Sequence, residues 1–112
     1  MSVLENLACS LGRRDELPNR ELARMLVEAH DSDGVGELVA NLWNKDKNIQ
    51  ADCIKAIYEV GYLEPSMIAP HALGLLKLLE SRNNRLVWGG IIALGIMGTV
   101  AAIVIARRVR PE

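Results

Sequence analysis

A chain of 112 residues, half of them hydrophobic and about a quarter charged, has the size of one domain, which excludes a multi-domain enzyme and a disordered or fibrous protein. Its formal net charge of −1 excludes a dedicated nucleic-acid binder, since phosphate contacts need a clear surplus of Lys and Arg. With two Trp, two Tyr and no Phe, the core has to be built from Leu, Ile, Val, Ala and Met, which suits packed helices better than a sandwich.

Apolar residues recur at spacings of three and four along almost the whole chain, which predicts amphipathic helices in succession. The first is Val3, Leu4, Leu7 and Leu11, closed by a polar break from Gly12 to Asn19. Leu22, Met25, Leu26 and Ala29 form the next, ending at the turn Asp31-Ser32-Asp33-Gly34, where Ser32 or Asp33 is expected to cap the helix that follows. Val35, Leu38, Val39 and Leu42 lead to the short polar link 45–48, and Ile49, Cys53, Ile54 and Ile57 lead to a stop at 61–65. Pro65 suits the first turn of a new helix, and Pro70 requires that this helix either kink or truly begin there. Ile68, Ala72, Leu75, Leu76 and Leu79 follow, then a link at 81–85 and the apolar segment 86–106. No run of four to eight residues alternates as a strand would. Five or six antiparallel helices with short connections are expected, all-α, in one domain over residues 1–112.

Charge is polarised along the chain. Residues 1–61 carry eleven acids against seven bases, and residues 62–112 carry three against six. Cys9 and Cys53 form no CxxC and belong to no Cys/His ligand set, so they read as free thiols in a reducing compartment, with no metal and no cofactor expected. The first fourteen residues lack the pattern of a secretory signal, which makes a cytoplasmic location the expectation.

At an offset of 37 the chain resembles itself. Leu38, Leu42, Ile54, Ala56, Gly61, Ile68 and Ala69 fall on Leu75, Leu79, Ile91, Ala93, Gly98, Ile105 and Ala106, and Asp46 falls on Asn83 in the turn. The stretch Leu75 to Ser81, a short polar turn, then Leu86-Val87 and Ile91-Ile92-Ala93-Leu94-Gly95 to Gly98 resembles a HEAT repeat, and Leu38 to Gly61 resembles the same unit. Where such repeats usually carry an Arg that bridges neighbouring units, Gln50 and Val87 stand here. The resemblance implies a right-handed stack of antiparallel helix pairs, an α-α superhelix, with N-terminal helices over 1–37, one unit over 38–74 and a second, incomplete unit over 75–112. Leu38, Leu42, Ile54, Ile57, Ile68, Leu75, Leu79, Ile91 and Leu94 would then share one core.

No catalytic constellation is present in the sequence. His30 and His71 stand singly, and Asp31-Ser32-Asp33-Gly34 lacks the bidentate Glu a calcium loop needs at its twelfth position, where Leu42 stands. The function expected is therefore a non-enzymatic scaffold or adaptor that binds a protein partner. Trp43, His71, Arg82, Arg85 and Trp88 are the candidate contacts, because interfaces favour Trp and Arg. A HEAT-like enzyme is the alternative from another class; as a glycosylase it would need a basic, aromatic-lined cleft with a poised carboxylate.

A further alternative is a membrane helix. Residues 86–106 contain no charge, are followed by Arg107, Arg108 and Arg110, and at ~1.5 Å per residue would reach across a bilayer core of about 30 Å. In a protein without a membrane, so apolar a segment needs cover beyond one neighbouring hairpin. It is expected to run as a helix past Gly98 and to form a homodimer through Ile96, Val100, Ile103, Val104 and Ile105, with Arg107 and Arg108 reaching the partner's acids.

Overall fold

The computed structural model describes residues 2–108, and the surroundings of side chains through residue 99. Among the described residues the chain is all-helical, with α1 (Leu17–Glu28), α2 (Ser32–Ala40), α3 (Lys47–Leu63), α4 (Ala72–Lys77) and α5 (Asn84–Arg108), joined by 3-10 turns. Helix α3 lies between α1 and α5 and touches both, while α2 packs on α3, and α4 on α5.

The expected first helix is only a 3-10 turn, Val3–Asn6, followed by further turns. Its backbone is held by side chains from other elements: Val3 N–H donates to the Glu37 carboxylate, Ala8 N–H to Asn19 Oδ1 at 2.9 Å and Cys9 N–H to Asp52 Oδ2 at 2.8 Å. Such partners satisfy the amides without a regular helix. Helix α1 begins earlier than the polar break suggests, with Pro18 in its tolerant first turn and Asn19 buried. It ends with Asp31 N–H bonded to Leu26 O and His30 N–H to Val27 O, and His30 takes the left-handed conformation at φ 49° that this termination needs. The cap of α2 is Asp31, whose Oδ1 accepts Gly34 N–H at 2.8 Å, and not Ser32 or Asp33. Pro65 and Pro70 each stand in a 3-10 turn, and the α-helix starts only beyond Pro70, at Ala72.

The turn before α5 repeats the one before α3 at the 37-residue offset. Asn44 N–H bonds Asn41 O, Asn44 Oδ1 accepts Asp46 N–H and Asp46 Oδ1 accepts Asn48 N–H. In the later turn Ser81 N–H bonds Leu78 O, Ser81 Oγ accepts Asn83 N–H and Asn83 Oδ1 accepts Arg85 N–H. Gln50, in the position where such repeats usually carry an Arg, joins the start of α3 to the turn before α5 by accepting from Asn83 Nδ2 at 3.2 Å.

Leu38, Leu42, Ile54, Ile57, Ile68 and Leu75 are fully buried, and Leu94 packs against them half-buried. Leu79 and Ile91 depart from expectation, at 42% and 46% exposure. Leu78, three residues beyond buried Leu75, fills the core beside α5 instead, whereas Leu79 holds the place that Leu42 takes in the preceding 3-10 turn Asn41–Trp43, where Leu42 is covered by the elements of Leu78 and Leu86. Close approach of α3 and α5 depends on Gly89, where a Cβ would stand 2.4 Å from Ile54 Cγ1. Helix α5 is continuous through Gly98 to Arg108. Its first half presents buried Leu86, Gly89, Gly90 and Ala93 to the rest of the chain. Through residue 99 no helix is long and apolar enough to cross a membrane, and the later part of the apolar segment 86–106 lies outside that range.

Candidate functional site

Three helices contribute to one groove of about 460 Å³. Its residues come from the segment leading into α1 (Arg14, Asp15, Glu16) and the first turn of α1 (Asn19), the polar face of α3 (Asp52, Lys55, Tyr58) and the first turns of α5 (Arg85, Trp88, Ile92). A second, more polar hollow of about 540 Å³ adjoins it and shares Arg14, Asp52 and Arg85. The α3 residues stand at spacings of three along one face, so one amphipathic helix supplies both core and floor.

The floor is a charge cluster. Lys55 Nζ lies 3.1 Å from Glu16 and 3.3 Å from Glu59, and 4.7 Å from the centre of the Tyr58 ring, which meets Tyr62 edge-on. Burial works against the ammonium, but Tyr58, Glu16 and Glu59 outweigh it and raise the Lys55 pKa above its ordinary value. Arg20 reaches Glu16 and Glu59 at 3.6 and 3.8 Å. The acids of the groove are thus engaged. Asp15 pairs with Arg13, Glu16 with Lys55, and Asp52 accepts Asn19 Nδ2 and Cys9 N–H on separate oxygens. Among the described residues Arg14 and Arg85 take part in no ion pair. The charge left over at the mouth shared by the two hollows is therefore positive, and beside it Trp88 stands 66% exposed.

Of the residues singled out in the sequence, Arg85 and Trp88 come together here. Trp43 lines a smaller hollow of about 190 Å³ with Gln50, Lys77 and Leu86, and its ring edge rests 3.8 Å from where a Cβ on Gly74 would stand. His71 and Arg82 line none of these three hollows. Ile96 is half-buried, with its Cδ1 against Gly61 of α3, while the side chains of Val100, Ile103, Val104, Ile105, Arg107 and Arg108 lie outside the described residues. Sequence reasoning missed Arg14, Asp52, Lys55 and Tyr58. Their signal was the polar stripe Asp52-Lys55-Glu59 along an otherwise apolar helix.

Cys9 borders the polar hollow and Cys53 lies in the core, both as free thiols. Burial, then the bond and charge of Asp52, push the Cys9 thiol from its ordinary 9.0 to about 11, and burial, then Asp52, pushes Cys53 to about 12. Both are protonated near neutrality and therefore poor nucleophiles. An unfolded chain would ionise its thiols near 9.0 while the folded chain holds their protons, so the folded state binds more protons over that interval. Stability from this source is full below about pH 9 and falls as pH rises toward 11 and 12. Urea midpoints measured from pH 7 upward should be flat to about 9 and then decline, and the Cys9→Ser, Cys53→Ala double variant should show a shallower decline.

No family model, no curated protein and no solved structure matches this chain.

Proposed function

We propose that this chain is a non-enzymatic interaction module built from HEAT-like helix pairs, and that its groove receives an extended segment of a protein partner carrying acidic and apolar side chains. The observation that carries the reading is the two guanidinium groups, Arg14 and Arg85, that form no ion pair among the described residues, beside exposed Trp88, where the groove's own carboxylates are already engaged. An Arg fork binds a carboxylate through two parallel hydrogen bonds, and a Trp face supplies apolar area, so the two together suit a short acidic-aliphatic motif. The recurrence of the turn hydrogen bonds at 37 residues, and the Gln50–Asn83 bridge from α3 to the later turn, support stacked helix pairs as the architecture. Protonation of Cys9, the one thiol bordering these hollows, and the absence of His from their linings favour contact over catalysis.

Selection from a displayed library of random peptides on the purified chain tests this. The selected peptides should share an Asp or Glu next to Leu or an aromatic residue. Arg85→Ala and Trp88→Ala should each weaken a selected peptide at least about tenfold without lowering the melting temperature, because both side chains are exposed. Selected peptides without acids, or affinity untouched by Arg85→Ala, would refute the groove.

A further inference from the structure

The polar hollow beside the groove holds more positive charge than one carboxylate of a partner would use. Arg13 and Arg14, from the segment ahead of α1, and Arg85, from the first turn of α5, line its volume of about 540 Å³, and Asp52 is the one carboxylate among its walls. No other lining residue is charged, the Cys9 thiol being protonated near neutrality, so the surplus is two positive charges. Both oxygens of Asp52 are already engaged, one accepting Asn19 Nδ2 at 2.9 Å and the other Cys9 N–H at 2.8 Å. Arg13 is paired with Asp15, which lines the groove but not the hollow, and the two side chains are 46% and 49% exposed. An ion pair so open to water weighs little, and Arg13 can turn from it to a stronger anion.

The size of the surplus selects the anion. A carboxylate is planar and singly charged, and one guanidinium satisfies both of its oxygens. A phosphate monoester carries close to two charges near neutrality and presents three acceptor oxygens, so it takes hydrogen bonds from several guanidinium groups at once. Arg14 and Arg85 line the groove as well as the hollow, which puts a phosphate bound to them at the edge of the groove, within reach of a short side chain on a peptide lying there. A nucleic acid fits poorly, because its further phosphates would follow the groove past Asp15 and Glu16.

The geometry points to a site for phosphoserine or phosphothreonine, in which the phosphate of the partner's peptide sits in the hollow between Arg13, Arg14 and Arg85. The site rests on the groove as the seat of that peptide, and Arg13, which lines the hollow and not the groove, separates the two. Two pools of random peptides, one with phosphoserine fixed at the centre and one with Glu there, provide the test. The purified chain should retain the phosphoserine pool at least about tenfold more strongly. Arg13→Ala should weaken a retained phosphopeptide at least about threefold and its Glu version less than about twofold, with an unchanged circular dichroism spectrum, since Arg13 is exposed. Equal retention of the two pools, or an Arg13→Ala variant that affects both versions alike, would overturn the phosphate site and leave the groove a receptor for carboxylates. Retention of neither pool would overturn both. Inorganic phosphate that competes at the same concentration as the phosphopeptide would overturn the peptide as the source of the phosphate.

Discussion

Leu78→Ala should destabilise the chain by about 2–5 kcal/mol, and Leu79→Ala by less than about 1 kcal/mol. The two leucines are adjacent and chemically identical, so helix propensity and denatured-state effects cancel between them. Leu78 is 1% exposed and lies within 4 Å of the Cβ position of Gly90 on α5. Removing its three terminal carbons leaves a cavity between two helices that the close backbones cannot collapse to fill. Leu79 is 42% exposed, and its truncation surrenders only part of a surface contact. Chemical denaturation of dilute protein, where self-association plays no part, reads the difference directly. Equal losses would mean that Leu79 is covered as fully as Leu78.

Asn19→Leu should cost about 2–5 kcal/mol, although it replaces a buried polar residue by an apolar one of similar size. Asn19 is 2% exposed and works at both ends. Its Oδ1 accepts the Ala8 N–H and its Nδ2 donates to Asp52 Oδ1, while Asp52 Oδ2 holds the Cys9 N–H. The amide and the carboxylate together fasten the irregular N-terminal segment to α1 and α3. A leucine leaves a buried N–H without an acceptor and a carboxylate with one donor fewer, each worth about 1–3 kcal/mol in a low-dielectric setting. The N-terminal segment should loosen before the rest, so hydrogen exchange at Ala8 and Cys9 should accelerate far more than at Ile57. Uniform acceleration would show that the clamp has no local role.

How far each feature could be read from the residues follows from the range of the forces involved. The helical class, the cores of α1 and α3, and the turn chemistry of Asp46 and Asn83 depend on spacing and on hydrogen bonds within a few residues, and the sequence carries these openly. The burial of Leu78 in place of Leu79 depends on which side of the segment another element covers, which the apolar run Leu75-Leu76-Lys77-Leu78-Leu79 does not mark. The irregular start was mistaken for a helix because Leu4, Leu7 and Leu11 have helical spacing, while the groups that hold it, Asn19, Glu37 and Asp52, are distant in the chain. Arg85 and Trp88 were legible as interface types, but Arg14 and Tyr58 join them only through the placing of α1 and α5 on either side of α3. Residue type identified Arg85 and Trp88, and tertiary packing supplied the rest of the groove.

The groove can be examined most directly by amide nuclear magnetic resonance of the isotopically labelled chain, titrated with an acidic-aliphatic peptide from the library selection. Saturating shifts are expected at Arg14, Lys55, Tyr58 and Arg85 and at the indole N–H of Trp88, with the Trp43 indole unmoved. Shifts centred on Trp43 and Lys77, or on Leu73 to Ile91, with the Trp88 indole silent, would contradict it.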